Sequence, residues 1–179
     1  QIARDPLEGA GLHSGTVDHG LPSLFRAYLR ELEALLPDDP VTVLPGVPEL
    51  LDVLGAMEDV ALGLVTGNIA GGAELKLGSA RLGERFAIGG FGSDSELRDD
   101  LPPVALERAR TRWAVDFAPD RVWIVGDTPR DVACAQAHGL RTLAVATGRF
   151  DADALRATGA DRVVDHLGDT DAIVEVLVP

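Results

Sequence analysis

Residues 123–135 read WIVGDTPRDVACA, an apolar run that ends at Gly126-Asp127 and continues as a helical pattern opening with Thr128-Pro129. Such a run is typical of a strand buried on both faces of a parallel sheet. Ligands of open parallel sheets bind beyond the carboxyl ends of the strands, and Asp127 stands at such an end. The segment therefore predicts an α/β fold with a binding crevice at this strand end.

The same alternation of strand and helix runs through residues 60–179 and predicts a parallel, Rossmann-like sheet flanked by helices. The runs near residues 63 and 123 are the most continuously apolar, so we expect them to be central strands. The predicted strands cover 60–65, 87–92, 121–126, 141–146 and 162–167, and the predicted helices cover 70–82, 103–115, 130–138, 151–158 and 170–178.

The first forty residues show helical periodicity without a strand pattern. SLFRAYLRELEALL (23–36) carries an apolar stripe, and a second helix is predicted over 47–57. Between them, Leu44-Pro45-Gly46 has the composition of a stiff joint. We therefore expect a helical module over 1–43 and an α/β core over 44–179, with His13 and His19 in loops.

Composition excludes several classes of protein. The chain has 179 residues, is 46% hydrophobic and carries a net charge of −13 without a basic patch, which argues against nucleic-acid binding and anionic membranes. Its one cysteine, Cys134, makes no internal disulfide, so a reducing cytoplasm is expected. No apolar run is long enough to span a membrane. Because residue 1 is Gln and the only methionine is Met57, we expect this chain to be a fragment or to begin after missing residues.

Two carboxylates follow the strand at 121–126. Asp127 ends the strand and Asp131 falls in the first helical turn, so both can point into one crevice, as oxygen ligands of Mg²⁺ do. Alternatively, Thr128 and Asp131 form a helix cap, with Pro129 at the first helical position. That alternative leaves Asp127 unexplained.

A second polar group, Thr66-Gly67-Asn68, follows the strand at 60–65 and precedes a helix. A hydroxyl, backbone N–H groups and a helix start together favour an anion site, while an ordinary turn with Asn68 as N-cap is the alternative. Lys76 is the single lysine among sixteen basic side chains, which favours a specific role over a solvated surface position. Turn chemistry suffices for the weaker candidates Ser93-Asp94, Arg98 and Thr147-Gly148-Arg149.

The order of these residues resembles the haloacid dehalogenase (HAD) superfamily of phosphohydrolases. The segments LPGVPELL (44–51), VTGN (65–68), FGSD (91–94), LPPVALERA (101–109), GDTPRDVACA (126–135) and VATGRF (145–150) are similar to phosphoglycolate-phosphatase-like members. The resemblance implies a HAD-like core and the remnant of a helical cap. It also implies a Mg²⁺-dependent phosphatase that cleaves small phosphorylated metabolites through a phosphoaspartyl intermediate.

The resemblance also implies residue roles. Thr66, with Gly67 and Asn68, would bind phosphate, Asp127 would bind Mg²⁺, and Asp131 would bond a catalytic lysine or a metal-bound water. The family's lysine loop reads RDDLPP (98–103) here, so Lys76 is the candidate and Arg98 the runner-up.

The family's DxDGT motif, with its nucleophilic aspartate, is absent from these residues. The resemblance implies that the strand bearing it lies between the strands at 60–65 and 121–126. We therefore expect those two strands not to pair with each other.

Two other functions stay open. The first is a catalytically inactive module that binds phosphate or a partner. The second is a signalling receiver domain, which also combines acids, threonine and lysine on a parallel sheet. Receivers place their acids before threonine and lysine, whereas Thr66 and Lys76 precede the acids here.

Overall fold

The structure is a computed structural model that describes residues 4–178, and it has an α/β fold. Within those residues it contains five strands and eight α-helices, each set numbered here in chain order. The strands are β1 (Gly63–Thr66), β2 (Ile88–Phe91), β3 (Trp123–Gly126), β4 (Arg141–Val145) and β5 (Arg162–Val164). The helices are α1 (Arg4–Gly9), α2 (Ser14–Leu35), α3 (Val47–Gly55), α4 (Ala70–Ser79), α5 (Leu101–Trp113), α6 (Pro129–Gln136), α7 (Ala152–Ala157) and α8 (Thr170–Leu177).

The strands form two separate parallel sheets. β1 pairs with β2, and β3, β4 and β5 pair in that order. The prediction that β1 and β3 do not pair with each other is confirmed. Within residues 4–178 neither is central, because each lies at an edge of its sheet and no other described strand pairs with the free edge. A strand between them, as the resemblance implies, would make both central.

β4 is the best-buried strand, and it separates the two halves of the C-terminal core. Leu143 packs with Leu50, Leu54 and Ile173 from α3 and α8. Its neighbour Ala144 packs on the opposite face with residues of α6 and α7. Alternate residues of a strand point to opposite faces, so β4 lies between two helical layers.

The smaller sheet is covered by α5. Gly90 of β2 lies directly against the backbone of Leu101, and any side chain at residue 90 would collide with it. Leu101 is itself 1% exposed. A short 3-10 turn at Arg98–Asp100 precedes α5, and the carbonyl of Asp99 contacts the ring of His138, just after α6. This contact links the turn before α5, which covers the smaller sheet, to the end of α6, which packs on the larger sheet.

The N-terminal region is more helical than the sequence predicts. α2 begins at Ser14, nine residues before the predicted start, and it continues through Pro22. Because Val17 in the first turns is buried, packing extends the helix beyond the apolar stripe at 23–36. His19 therefore lies in α2, and its predicted place in a loop is wrong.

The joint between α2 and α3 is anchored at its glycine. Gly46 has a φ of 84° and precedes the first residue of α3. Its α-carbon lies against the backbone of Leu167, which follows β5. The left-handed conformation and the close contact both require glycine. Among residues 4–178, no helix combines the length and apolar character needed to cross a bilayer.

Candidate active site

The loop after β1 is held by its own polar side chains. The backbone N–H of Asn68 donates to Oγ1 of Thr66 at 3.2 Å, and the Tyr28 hydroxyl of α2 donates to Oδ1 of Asn68, also at 3.2 Å. Asn68 is not the N-cap of α4, because that position belongs to Ile69, which makes no side-chain capping bond. The side chain of Asn68 instead connects the loop to α2.

Close packing around Gly72 fixes this connection. A Cβ at residue 72 would lie 2.6 Å from Oδ1 of Asn68 and 2.8 Å from Cε1 of Tyr28. Both distances are too short for a real side chain, so α2 can approach α4 only because residue 72 is glycine. Tyr28 was not predicted as a site residue, since in sequence it is one member of an apolar stripe.

A cavity of about 1030 Å³ opens between α2 and the loops after β1 and β2. The phosphate candidates Thr66, Gly67 and Asn68 line it together with Lys76. The opposite wall is apolar and comes from Leu21, Leu24 and Phe25 of α2. Four of the six predicted site residues therefore share one cavity.

Lys76 is an exposed residue that makes no ion pair with the residues described between 4 and 178. Arg4, the other base on the cavity wall, is bonded to Glu96, Asp18 and Glu8. Its bonds to Glu96 hold the pKa of that carboxyl below its usual range. The cavity thus holds one neutralised base and one free ammonium group.

The loop after β2 is fixed by an arginine clamp, defined here as Asp94 with Arg108. Arg108 donates to both carboxylate oxygens of Asp94, at 2.6 and 2.8 Å, and to the carbonyl of Gly89 at 2.6 Å. Asp94 also accepts the N–H of Phe91 at 2.9 Å. The guanidinium lowers the pKa of Asp94. The clamp thereby holds Ser93, whose hydroxyl accepts the first N–H of α4 at 3.2 Å.

A capping box stands at the start of α6, after β3. The carboxylate of Asp131 accepts the N–H of Thr128 at 3.0 Å and its hydroxyl at 2.8 Å, and the hydroxyl oxygen accepts the N–H of Asp131 at 3.3 Å. Gly126 lies directly under this carboxylate and leaves no room for a Cβ. The capping interpretation of Thr128 and Asp131 is therefore confirmed, and Asp131 is buried.

The cation that pairs with Asp131 is Arg98. The prediction that Lys76 bonds Asp131 is therefore wrong. Arg98 forms an ion pair with Oδ1 of Asp131, and its Nε is buried without a partner among the described residues. Arg98 lies in the turn before α5, which packs against α6, whereas Lys76 lies in the last turn of α4 on the cavity wall. The fold therefore brings Arg98, not Lys76, to this carboxylate.

Asp127 is the exposed carboxylate at the end of β3. It accepts no hydrogen bond from any residue described between 4 and 178, and its carboxylate lies against Gly148 in the turn after β4. No group of three His, Cys, Asp or Glu side chains among those residues could hold a metal ion. Mg²⁺ usually takes one or two carboxylates and fills its shell with water and phosphate oxygens, so a free Asp127 fits such an ion.

The sole cysteine lies beside this second group. Cys134 is fully buried on α6, and its thiol donates to the carbonyl of Asp131 at 3.3 Å. Burial raises the pKa of this thiol, which keeps it protonated and unreactive. Asp127, Asp131, Arg98 and Cys134 do not line the cavity that holds Lys76. The candidate residues thus form two groups, one at each sheet.

Known proteins resemble this chain in two ways: solved structures share its fold, and a family model matches the sequence of its C-terminal part. A family model described as HAD-hydrolase-like matches residues 100–170. A comparison with curated proteins finds no match.

Solved structures extend the likeness to the rest of the chain. A hydrolase from Pseudomonas syringae is 19% identical, with 98% of this chain and 76% of that chain covered and a TM-score of 0.70. The haloacid dehalogenase-like protein SP0104 from Streptococcus pneumoniae is 17% identical, with coverage of 92% and 73% and a TM-score of 0.66.

A putative β-phosphoglucomutase from Thermotoga maritima is 22% identical over 75% of this chain, with a TM-score of 0.64. This chain spans 60% of the length of that protein. The family match and the shared fold agree with each other: residues 100–170 resemble HAD-like hydrolases in sequence, and the chain resembles these solved structures in fold.

Proposed function

We propose that this chain is the core and part of the cap of a Mg²⁺-dependent, cytoplasmic phosphatase that hydrolyses small phosphomonoesters. The observation that carries the proposal is the position of the two polar groups. One follows β1 and the other follows β3, and each of these strands, like β2 and β5, has one unpaired edge among residues 4–178. Ligands of parallel sheets bind at such strand ends.

The unpaired edges support a further strand between β1 and β3. Val125 of β3 is 43% exposed, although its strand is almost wholly apolar. An apolar strand with an open, unpaired edge is a template for pairing, which favours a further strand on both edges. In our proposal this strand lies outside the 179 residues and carries the nucleophilic aspartate, which would form the phosphoaspartyl intermediate.

The residues of this chain then have separate tasks. Thr66, with the backbone N–H groups of Gly67 and Asn68, would hold the phosphoryl oxygens at the end of β1. Asp127 would hold Mg²⁺ at the end of β3. When bound, the ion would supply positive charge against the charge that develops on the phosphoryl oxygens.

Two cations have different positions and therefore different proposed roles. Arg98 is a positioning residue, because it contacts the carboxylate of Asp131 and would keep that carboxylate and the start of α6 in place. Lys76 would contribute positive charge to the cavity in which Thr66 lies. The guanidinium beside Asp131 thus takes the partner role that the sequence assigns to Lys76.

A panel of small phosphomonoesters tests the proposed function on the full-length protein, with and without Mg²⁺. We expect hydrolysis that requires the metal, and we expect Thr66→Val to raise KM because it removes the hydroxyl while keeping the shape. Arg98→Gln should mainly lower kcat, whereas Lys76→Gln should mainly raise KM.

The leading alternative is a catalytically inactive phosphate-binding module. Inorganic phosphate that binds in a Thr66-dependent manner, without turnover of any ester in the panel, would favour that module over the phosphatase. Thr142→Val is a poor control because Thr142 is buried, so the matched control is Thr111→Val on the exposed surface of α5.

A further inference from the structure

The cavity between α2 and the loop after β1 has an apolar half and a polar half. Leu21, Leu24 and Phe25 of α2 form the apolar half, with Leu64 and Leu77 from the core. Leu24 is 41% exposed. This surface offers a binding wall for a hydrocarbon group in the cavity that the phosphate candidates also line.

Charge is scarce in the same cavity. Two bases and two acids line it, and three of these four are engaged elsewhere. Arg4 is bonded to Glu96, and Asp94 is bonded to Arg108. Lys76 is the one cation on the wall, among residues 4–178, that makes no ion pair. A phosphoryl group that uses Lys76 leaves no unpaired cation for a second anionic group.

The uncharged polar side chains of the wall are also engaged within the protein. Ser95 donates to Asp100 at 2.7 Å and accepts the N–H of Leu97 at 3.1 Å. Ser93 accepts the N–H of Ala70, and the Tyr28 hydroxyl donates to the Asn68 side chain. The side-chain donors that these bonds leave are the amide N–H groups of Asn68 and the hydroxyl hydrogen of Ser93, both close to the loop that carries Thr66.

From this distribution we propose that the substrate is a phosphomonoester with an uncharged, apolar organic group, such as an aryl or branched alkyl group. The proposal rests on the proposed phosphatase function, because it places the phosphoryl group at Thr66. The organic group lies against Phe25 and Leu24 of α2. A phosphorylated carboxylic acid or a phosphorylated sugar fits the α2 wall less well, since Leu21, Leu24 and Phe25 offer its second polar group no hydrogen-bond partner and no second unpaired cation lines the cavity among residues 4–178.

Two non-hydrolysable phosphonates separate the possibilities. Benzylphosphonate presents an aryl group, and 3-phosphonopropionate presents a carboxylate at similar length. Their binding to the full-length protein is measured by calorimetry in buffer that contains Mg²⁺, with inorganic phosphate as the reference ligand. We expect benzylphosphonate to bind at least about tenfold more tightly than 3-phosphonopropionate, because it buries an apolar ring.

Three variants locate the effect. Phe25→Ala should remove most of the preference for benzylphosphonate and leave the affinity for inorganic phosphate unchanged. Leu35→Ala is the matched control, since Leu35 is 59% exposed on the same helix and does not line the cavity. Thr66→Val should weaken all three ligands alike.

Each other outcome overturns the proposal in a distinguishable way. If 3-phosphonopropionate binds as tightly as benzylphosphonate or more tightly, the apolar substrate class is wrong and the phosphate site at Thr66 stands. If the preference persists in Phe25→Ala, the ring does not lie on α2. If neither phosphonate nor phosphate binds, the proposed function fails together with the substrate class.

Discussion

The two sheets differ in how much of their polar chemistry is already bonded. At the end of β3, Asp131 is buried and holds a capping box and an ion pair. At the end of β1, the candidate residues line an open cavity, and Lys76 stays unpaired within residues 4–178. The comparison indicates a bonded half that holds one exposed carboxylate, Asp127, and an open half whose cavity has room for a ligand.

The sequence comparisons divide along the same line. The family model matches residues 100–170, which contain β3, β4, β5 and the capping box. The open half, with its cavity and α2, is supported by the likeness of fold alone. A framework that must keep several hydrogen bonds at once tolerates few residue types, whereas a cavity wall changes with its ligand.

The largest expected effect is on Asp127. Asp127→Asn in the full-length protein should lower phosphatase activity by about 100-fold or more, because even indirect contacts to a bound metal are worth up to that factor. The melting temperature should stay unchanged, since the carboxylate makes no hydrogen bond with residues 4–178. Activity assays and thermal unfolding are measured side by side. Full activity at limiting Mg²⁺ would remove Asp127 from the site.

The rigidity of the second half is tested by Asp131→Ala. The change removes the capping box and leaves Arg98 without its carboxylate partner, so the free energy of unfolding should fall by about 3 kcal/mol. Asp151→Ala is the matched control, because Asp151 caps α7 through a single bond to the N–H of Ala154. The control should cost only about 1 kcal/mol in denaturant unfolding. Equal losses would mean that the ion pair contributes nothing.

The joint between α2 and α3 is tested by Gly46→Ala. Alanine would be forced into a left-handed conformation, with its methyl group against the backbone of Leu167, and should cost about 2 kcal/mol. Gly78→Ala is the control, since Gly78 has open space around it. Unfolding in denaturant measures both variants. A Gly46 variant as stable as the control would contradict the close contact.

The smallest effect is expected at the arginine clamp. The lowered pKa of Asp94 means that the clamp stabilises the fold above the ordinary pKa of an aspartate and loses this effect as pH falls through the lower folded value. Arg108→Leu should cost about 1 kcal/mol at neutral pH, because Arg108 is 42% exposed and water screens the pair. It should also flatten the loss of stability below about pH 4. If the free energy of unfolding of Arg108→Leu fell with pH as steeply as that of the wild type, the clamp would not be the cause of this pH dependence.

The sequence predicted the parts of the molecule that follow from local patterns. Four of the five strands lie inside their predicted segments, and β1 extends one residue beyond its segment, since apolar runs and turn residues mark strands directly. The capping box was visible as Thr128, Pro129 and Asp131 because capping is a short-range pattern. Asp127 was singled out because a charged residue at the end of a buried strand has no structural explanation.

Contacts between distant segments could not be predicted in the same way. Arg98 and Asp131 lie thirty-three residues apart, and only the packing of the turn before α5 on α6 joins them. Tyr28 and Asn68 are forty residues apart, and their bond depends on the space left by Gly72. The separation of β1 from β3 was predicted, but only from the strand order that the family resemblance implies, because local patterns do not give strand order.

A crystal structure of the full-length protein with Mg²⁺ and phosphate tests the central claim, that the two halves form one phosphate site. We predict a further strand paired with both β1 and β3, a phosphate ion bonded to Oγ1 of Thr66, and a metal ion on the carboxylate of Asp127. A structure in which β1 pairs directly with β3, or in which phosphate binds away from Thr66 and the metal away from Asp127, would contradict it.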